Sequence, residues 1–339
     1  MTSAIASEAA ANWVITGGCG FIGRSLVARL LKAGVPSGRI RIVDNLSVGT
    51  LQDLEAAVQV RSGSAGWTAA NDGAALHVAD IRDGAAIKEA LKGADVIVHL
   101  AACTGVQPSV ENPFFDCETN VIGTLNCLEA ARLGSAKRFV FASSGAPLGN
   151  VTPPIHEEVV PHPISPYGAS KMAGEGYCSA YFHCFGLETV ALRFGNVYGP
   201  LSSKKSSIVA KFIRRALASE PLEIYGDGSA TRDYIFIEDL TRAIILAVTR
   251  AGTGGEIFQI ATNHETTVGE VTAHLVDILA ANGITGVTVV HGDARKGDMQ
   301  RNYSDTTKAK THLGWTCEHT LRQGLEHTVS WFLSQKHKD

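Results

Sequence analysis

Residues 13–23 read WVITGGCGFIG, a short apolar run that leads into a glycine-rich turn and then into an amphipathic stretch over residues 21–33. Gly17, Gly20 and Gly23 recur at intervals of three. Small residues are needed where phosphate oxygens must approach backbone N–H groups at a helix N-terminus, because the helix dipole there favours anions. Glycine also occurs in ordinary turns and helix caps, so the triplet alone is a weak signal. Its place between a strand and a helix favours phosphate binding.

A carboxylate at the end of the next apolar segment strengthens this interpretation. Residues 39–44 are rich in Ile and Val and end at Asp44, at a suitable distance from the glycines to accept a hydrogen bond from an adenosine ribose hydroxyl. A carboxylate at that position would repel a 2′-phosphate, so the pattern predicts NAD rather than NADP as the cofactor. Arg39 and Arg41 precede the end of the segment, and we expect both to point to solvent.

Further apolar segments alternate with helical stretches along the chain. The segments that we expect to be strands include residues 14–15, 39–44, 76–78, 96–100, 139–143 and 189–193. This alternation predicts an α/β fold with a Rossmann-type, doubly wound parallel sheet that is covered on both faces. In such sheets, ligands bind at the carboxyl ends of the strands.

The composition changes after Gly199 and Pro200, where helices are interrupted at irregular spacing. We expect residues 12–198 to form mainly a NAD-binding domain. Residues 199–335 would form mainly a smaller C-terminal substrate-binding lobe, with a segment of about 232–262 returning to the main domain.

Composition excludes several other classes of protein. The 339 residues carry a formal net charge of −3, which gives no reason to expect nucleic acid or an anionic membrane as a partner. The seven cysteines are scattered without a CxxC pair, so we expect neither a metal site nor a disulfide framework, and a cytoplasmic location. The first dozen residues lack the features of a signal peptide, and no apolar run approaches the length of a membrane span.

A tyrosine and a lysine four residues apart are candidates for proton transfer. In the run SPYGASK, Pro166 is suited to the first turn of a helix, so Tyr167 and Lys171 would share one helix face. An ammonium near a phenol, together with an oxidised nicotinamide, would lower the tyrosine pKa from about 10 towards neutrality. The tyrosine could then remove a proton from a carbinol as hydride leaves for the cofactor. Such pairs are common by chance on exposed helices, so this pair gains its weight from the glycine turn.

Hydroxyl groups end the predicted strand at residues 139–143. Ser143 and Ser144 follow the apolar run and could hold a sugar hydroxyl. Serines also cap strands and helices, so neither position is decisive without the tyrosine and lysine.

Together the motifs resemble the extended short-chain dehydrogenase/reductase family and, within it, the NAD-dependent nucleotide-sugar epimerases and dehydratases. The resemblance runs from residue 13 to about residue 331. Beyond the segments already quoted, it rests on the residues DI at 80–81, HLAA at 99–102, Asn120, RFGNVYGP at 193–200, GDG at 226–228, RDY at 232–234 and RKGD at 295–298.

The resemblance implies roles for individual residues. Tyr167 would be the catalytic base and acid, Lys171 would hold the ribose and tune the tyrosine, and Ser144 would bind the reacting hydroxyl. The implied cofactor-binding residues are Gly17, Gly20, Phe21, Ile22, Gly23, Asp44, Asn45, Asp80, Ile81, Leu100, Ala101, Ala102, Asn120, Ser143, Tyr167, Lys171, Phe194 and Val197. The implied substrate-binding residues are Ser144, Asn196, Arg232, Arg295, Asp298 and Asn302.

The two arginines in that set would clamp a diphosphate, since guanidinium groups suit phosphate oxygens. Arg232 could instead pair with Asp233 or Asp239 at the surface. Lys204 and Lys205 are further phosphate candidates, and a solvated loop explains them equally well.

Departures from the family pattern narrow the reaction. The nucleotide-sugar 4,6-dehydratases place an Asp-Glu pair where this chain has Gly145 and Ala146, and related decarboxylases carry a glutamate in the same region. Neither residue here can give a proton. The sequence therefore favours C4 epimerisation of a UDP-hexose, UDP-hexuronate or UDP-N-acetylhexosamine, through a transient 4-keto sugar and bound NADH. Asn302 aligns with a position that gates N-acetylated sugars, and its intermediate size leaves them possible.

Two alternatives remain open at this point. One is an NAD-dependent oxidoreductase or dehydratase with net product release, and the other is a non-catalytic dinucleotide-binding protein. In the family, helices around residues 112–133 and 167–185 form a four-helix dimer interface, which predicts a homodimer. The apolar candidates for it here are Phe114, Phe115, Val121, Leu125, Leu128, Tyr177, Tyr181 and Phe182.

Overall fold

The structure is a computed structural model that describes residues 8–62, 66–293 and 300–336. The strands are β1 (Trp13–Thr16), β2 (Ile40–Asp44), β3 (Val60–Ser62), β4 (Ala74–Val78), β5 (Val96–His99), β6 (Arg138–Ser144), β7 (Glu188–Phe194), β8 (Asn196–Tyr198), β9 (Leu222–Tyr225), β10 (Thr231–Arg232), β11 (Tyr234–Phe236), β12 (Glu256–Ile260), β13 (Thr266–Thr267) and β14 (Val289–Gly292). The α-helices are α1 (Phe21–Lys32), α2 (Leu51–Glu55), α3 (Gly84–Ala90), α4 (Val106–Glu111), α5 (Pro113–Cys117), α6 (Gly123–Leu133), α7 (Pro166–Phe185), α8 (Ile208–Leu217), α9 (Ile237–Thr249), α10 (Val268–Ala281) and α11 (Leu321–Lys336). A π-helical turn, Glu118–Ile122, joins α5 to α6, and a second one spans Ala309–Leu313.

Eight strands form one sheet in the order β3-β4-β2-β1-β5-β6-β7-β12, and every neighbouring pair is parallel. The predicted doubly wound parallel sheet is therefore confirmed. The chain moves outwards from β1 through β2, returns to β5 on the other side of β1, and then continues outwards. This reversal leaves a crevice at the carboxyl ends of β1 and β5, where Thr16 and His99 are neighbours in register.

Burial on both faces explains why the central strands are continuous apolar runs. Trp13, Val14 and Ile15 of β1 are fully buried. Trp13 and Ile15 belong to one hydrophobic cluster and Val14 to the other, because successive side chains of a strand point to opposite faces. A strand covered on both sides cannot show the polar alternation of a surface strand.

Local capping explains where α7 begins. The Ser165 side chain accepts a hydrogen bond from the backbone N–H of Gly168 at 3.1 Å, and Pro166 occupies the first turn. A Cβ atom on Gly174 would lie 2.4 Å from Cζ of Phe141, so the glycine lets α7 pack closely on β6. This close packing carries the first turn of α7 to the carboxyl end of β6.

Short strand pairs build the C-terminal part of the chain. β8 pairs with β11, β9 pairs with β14, and β10 pairs with β13, whereas β12 extends the main sheet next to β7. The proposed division into two lobes stays a prediction. Among the described residues, every helix is too short or too polar to span a membrane.

The expected orientation of Arg41 is wrong. Its side chain is buried rather than solvated, with its guanidinium carbon 4.0 Å from the centre of the Trp67 ring. Nη1 donates to the carbonyl oxygens of Ala90 and Lys92, at 2.9 and 3.1 Å. These carbonyls lie at the last residue of α3 and just after it, where backbone acceptors lack partners within the helix, so a guanidinium is stabilised there.

Candidate active site

The glycine turn packs tightly against the segment that follows β5. Gly17 has a φ of 67°, and a Cβ atom on it would lie 2.7 Å from the backbone nitrogen of Ala101. A Cβ atom on Gly23 would lie 2.6 Å from the carbonyl oxygen of Gly17. Helix α1 begins after Gly20 without a side-chain cap, which leaves its first N–H groups available to an anion. The turn thus fits the pyrophosphate of a dinucleotide.

Asp44 lies beside this turn, at the carboxyl end of β2. Its Oδ2 accepts a hydrogen bond from the backbone N–H of Cys19 at 2.9 Å, and Oδ1 accepts one from Leu46 at 2.8 Å. Burial raises the pKa of Asp44, and these two bonds oppose the rise. Since each carboxylate oxygen can accept a second bond, a ribose hydroxyl can still be bound there.

A second acidic residue lies close to Asp44, at the carboxyl end of β4. The Asp80 carboxylate accepts hydrogen bonds from Nδ2 of Asn45 at 3.2 Å and from Nη2 of Arg82 at 2.9 Å. The Arg82 guanidinium holds the pKa of Asp80 well below its usual range. Ile81 is buried against Gly123, where an added Cβ atom would lie 2.6 Å from its side chain. The structure therefore brings together the residues expected around the adenosine.

A buried histidine ties β1 to β5 and to α6. Nδ1 of His99 lies 2.8 Å from Oγ1 of Thr16, and its Nε2 lies 3.1 Å from Oγ1 of Thr124. Burial lowers the pKa of His99 to about 3, so the imidazole is neutral. Thr16 also accepts a hydrogen bond from the backbone N–H of Ala101 at 3.2 Å, which orients the segment that contains Leu100, Ala101 and Ala102.

Asn120 connects that segment to α7. The side chain is buried, and its Oδ1 accepts from the backbone N–H of Cys103 at 2.9 Å. Its Nδ2 donates to the Cys103 carbonyl oxygen, to Oδ1 of Asp116 and to Oγ of Ser170, at 3.0, 2.9 and 3.2 Å. Asn120 was predicted to bind the cofactor. These bonds show that it holds the segment after β5 against α7.

The tyrosine, lysine and serine of the predicted catalytic set lie together at the carboxyl end of β6. Nζ of Lys171 is 5.9 Å from the centre of the Tyr167 ring and donates to the carbonyl oxygen of Ala142 at 2.9 Å. The side chain of Ser144 lies beside Tyr167 and acts to lower the pKa of its hydroxyl. Chain spacing alone placed two of these residues on one helix, but packing of α7 on β6 brings the third to them.

The electrostatics of this group follow from its burial. Burial lowers the pKa of Lys171 to about 8, while the carboxylates of Asp116 and Glu175 oppose the fall. Burial raises the pKa of Tyr167, which the side chain of Ser144 opposes and the charge of Asp116 reinforces. An ammonium with a pKa near neutrality is suited to stabilise a phenolate in a proton-transfer step.

Sequence reasoning missed a buried ion pair beneath the tyrosine and lysine. Glu175 accepts from Nε and Nη2 of Arg193, both at 2.8 Å, and from the hydroxyl of Ser143 at 2.6 Å. Glu175 lies four residues after Lys171, so the spacing of Tyr167, Lys171 and Glu175 was a signal in the sequence that they share one helix face. Ser143, predicted to bind the cofactor, donates its hydroxyl to this ion pair.

The predicted sugar and diphosphate residues lie on the short strands. Asn196 of β8 is exposed and faces Tyr234 in register. Arg232 of β10 donates to the carbonyl oxygen of Thr231 at 2.7 Å, and the backbone N–H of Asn302 donates to Oγ1 of the same threonine at 3.2 Å. Thr231 thus brings Arg232 and Asn302 together.

Other predicted residues are placed as follows. Phe194 and Val197 lie at the carboxyl end of β7 and in β8. Arg295 and Asp298 lie outside the described residues. Over residues 8–62, 66–293 and 300–336, no group of three or more His, Cys, Asp or Glu side chains could hold a metal ion.

The two neighbouring lysines differ in their surroundings. Nζ of Lys204 donates to Oδ2 of Asp53 at 2.5 Å, so this lysine has a structural partner. Lys205 lies 6.0 Å from the centre of the Phe21 ring and, with Gly20, lines a small cavity at the start of α1; burial lowers its pKa. Lys204 lines the same cavity, but its pairing with Asp53 leaves Lys205 the better placed of the two to meet a phosphate.

Comparison with known proteins agrees with this geometry. A model of the NAD dependent epimerase/dehydratase family matches residues 13–261. The UDP-glucose 4-epimerase of Mycolicibacterium smegmatis is 36% identical over 325 residues, which cover 94% of this chain and 97% of that protein. A dTDP-glucose 4,6-dehydratase of Xanthomonas campestris pv. campestris is 32% identical over 348 residues, covering 96% and 94%.

A solved structure is similar over nearly the whole chain. The crystal structure of UDP-glucose 4-epimerase with UDP-glucose from Thermotoga maritima superposes with a TM-score of 0.84 at 34% identity and covers 96% of this chain and 99% of that one. The chain therefore belongs to the NAD-dependent epimerase/dehydratase family. It is an enzyme of that family, with NAD as its cofactor.

Proposed function

We propose that the protein is a nucleotide-sugar C4 epimerase that acts on a UDP-sugar. One observation carries the proposal: Tyr167 lies beside Ser144 and one turn from the buried Lys171, and the two residues after Ser144 have no acidic side chain. A Cβ atom on Gly145 would have no atom within 4 Å, so the space beside the reacting hydroxyl is open. The Mycolicibacterium relative, named a UDP-glucose 4-epimerase, supports the same reaction.

The residues would move one proton in each direction. Tyr167, as phenolate, takes the proton from the C4 hydroxyl, which Ser144 holds by a hydrogen bond, while the C4–H bond breaks and a 4-keto sugar forms. NAD held by the glycine turn, Asp44 and Lys171 would supply the hydride acceptor and donor for this chemistry, and the keto sugar would present its opposite face for the second transfer. Tyr167 then gives its proton back to the C4 oxygen. The product sugar has the same composition and oxidation state as the substrate, and the cofactor returns to its oxidised form. The net reaction is therefore inversion of configuration at C4.

Lys171 would act through its charge. Its ammonium lies against the tyrosine ring and stabilises the phenolate, which brings the tyrosine pKa towards neutrality. The ammonium has three N–H donors, and one of them donates to the carbonyl oxygen of Ala142. The other two can reach a ribose hydroxyl of the cofactor.

The remaining predicted residues are part of the proposal. The cofactor would lie across the glycine turn, with its adenosine near Asp44, Asn45 and Asp80. Arg232 and Arg295 would bind the substrate diphosphate from the C-terminal lobe. Support for Arg232 comes from its place on β10, where the preceding Thr231 accepts a hydrogen bond from the backbone N–H of Asn302.

A panel of UDP-, dTDP- and GDP-sugars tests the reaction. We expect NMR to show a C4 epimer of at least one UDP-hexose, UDP-hexuronate or UDP-N-acetylhexosamine, without added NAD and without accumulating NADH absorbance. A 4-keto-6-deoxy sugar would instead show a dehydratase, as in the Xanthomonas relative. Accumulating NADH would show a net oxidoreductase, and absence of any conversion would favour a protein that only binds the dinucleotide.

We also propose that two chains form a homodimer through α7 and the helices of residues 113–133. Phe114, Phe115 and Tyr177 are exposed there, together with Ile122 and Phe185. Two predicted interface residues, Leu128 and Tyr181, lie in the protein core instead, because α6 and α7 pack against each other. Sedimentation equilibrium of the protein and of Phe114→Glu should show a dimer and a monomer respectively; a monomeric parent protein would contradict the proposal.

The cysteines are consistent with a proposed location in the cytoplasm. All seven are free thiols, and Cys127 and Cys178 are buried where burial raises their pKa. Titration of seven thiols after denaturation of the protein, without added reductant, would support a reducing compartment, whereas a disulfide would contradict it.

A further inference from the structure

A second buried carboxylate lies on a helix that packs against the helix of the tyrosine and lysine. Asp116 lies in α5, which packs against α7, and its side chain is only 2% exposed. Oδ1 accepts the 2.9 Å hydrogen bond from Nδ2 of Asn120, whose amide also contacts Ser170 of α7. Oδ2 is buried and has no hydrogen-bond partner among the described residues. A carboxylate in this condition is costly unless its charge interacts with a nearby cation.

The two carboxylates near Lys171 differ in how they are neutralised. Glu175 is paired with Arg193 through two hydrogen bonds of 2.8 Å, so its charge is largely balanced by its own partner. Asp116 has no ion pair with any described residue, and its charge acts on Lys171 and on Tyr167. The net negative charge beside the reacting pair therefore comes from Asp116 rather than from Glu175.

We propose that Asp116 is a positioning residue for Tyr167 and Lys171, and that its buried carboxylate sets the pH range in which this pair exchanges a proton with a sugar hydroxyl. This inference rests on the function proposed above. Asp116 would act at a distance from the substrate, by holding Lys171 as an ammonium and by opposing early ionisation of Tyr167. Its hydrogen bond to Asn120 keeps the carboxylate facing α7.

The other groups around the pair do not supply this effect. The titratable and charged neighbours are His99 on β5, Cys103 after β5, Glu175 and Cys178 on α7, and Arg193 on β7 bound to Glu175. Burial keeps His99 neutral and raises the pKa of Cys178, so neither carries charge near neutral pH. Asp116 is also the strongest of the influences that oppose the effect of burial on the Lys171 pKa.

Removal of this charge has a distinctive consequence. A nearby negative charge favours the ammonium form of a lysine and disfavours the phenolate form of a tyrosine. Both groups should therefore release their protons at lower pH in Asp116→Asn. The acidic and basic limbs of the kcat profile should then move in the same direction, towards lower pH, by about one pH unit. A loss of packing alone would lower kcat without moving either limb.

The experiment compares Asp116→Asn with Glu111→Gln, which removes the same charge from an exposed position on α4. The kcat of epimerisation is measured over the pH range in which each protein stays folded. Ionisation of Tyr167 is followed separately, in the NAD-bound protein, by phenolate absorbance with Tyr167→Phe as the background. We expect both readouts to shift for Asp116→Asn and to stay at parent values for Glu111→Gln.

The outcomes separate this inference from the proposed function. If the kcat–pH profile and the phenolate titration of Asp116→Asn both superimpose on those of the parent protein, the proposed role of Asp116 is overturned, even when the epimerase activity is intact. Absence of conversion by the parent protein would overturn the proposed function, and the phenolate titration alone would then decide on Asp116. Should the asparagine variant not fold, Asp116→Ser provides the same loss of charge with a smaller side chain.

Discussion

The two ends of the proposed cleft are built differently. At the chemical end, around Tyr167 and Lys171, the supporting polar residues Asp116, Asn120 and Glu175 are at most 4% exposed and are held between α5, α7 and β6. At the recognition end, Asn196 is exposed and Arg232 lies on a two-residue strand. Proton transfer needs fixed groups in a dry surrounding, whereas recognition of different sugars is served by short strands and loops on a rigid base. Changes at the chemical end should therefore alter kcat or stability, and changes at the recognition end should alter KM.

Replacement of the tyrosine should have the largest effect. Tyr167→Phe keeps the packing of the ring but removes the proton acceptor, so we expect kcat to fall about 10³-fold with little change in KM. Turnover is measured by NMR, with bound NAD and thermal unfolding as controls that should match the parent protein. Unchanged turnover would refute the assignment of Tyr167 as the base.

The ion pair beneath the lysine should matter mainly for stability. Arg193→Met leaves Glu175 buried without its cation, and we expect the free energy of unfolding to fall by about 3–5 kcal/mol. Arg322→Met is the matched control, because its 3.1 Å pair with Glu326 is exposed on α11 and should contribute far less. Denaturant unfolding measures both. Equal losses for the two variants would contradict the difference between a buried and an exposed pair.

At the recognition end, Arg232→Ala should raise KM for the UDP-sugar about 10- to 100-fold, because a charge-assisted hydrogen bond to phosphate is lost. The value of kcat should change much less. Arg322→Ala removes an exposed arginine of α11 that pairs with Glu326, and it should leave both constants unchanged. Steady-state kinetics measure both constants. A fall in kcat at constant KM would contradict the prediction and would show that Arg232 acts in the chemical step instead of in substrate binding.

The smallest effect concerns pH. Burial lowers the pKa of Lys171 to about 8, and its ammonium is the form that stabilises the phenolate. As pH rises through this value the ammonium is lost, so kcat should decline and approach a tenfold fall for roughly each further pH unit. KM should stay constant, since the arginines of the recognition end keep their charge. Kinetics across this range measure both constants, and a rise in KM at constant kcat would contradict the prediction.

The main sheet was predictable because its signals are local. Apolar runs of two to six residues predicted β1, β2, β5, β6 and β7, and the structure confirms these strands with shifts of at most one residue at each end. Pro166 likewise predicted the start of α7, since proline suits the first turn of a helix, and the structure adds Ser165 as its N-cap.

The failures concern side chains whose surroundings come from distant segments. Arg41 was expected in solvent but lies between Trp67 and the end of α3. Leu128 and Tyr181 were expected at an interface but belong to the core. In each case the local pattern was compatible with both positions, and the decision came from elements many residues away.

The Tyr167–Lys171 pair shows where the two sources of information divide. The sequence by itself determined the parallel sheet, the glycine turn, the family and the spacing of the pair, because strand periodicity, turn chemistry and helical repeat are properties of contiguous residues. Only the tertiary structure decided that Ser144 meets Tyr167, that Arg193 neutralises Glu175 and that Oδ2 of Asp116 is buried with no partner in the described part of the chain. These are matters of burial and of charge between separate elements, and the energy of a buried charge depends on what surrounds it in space.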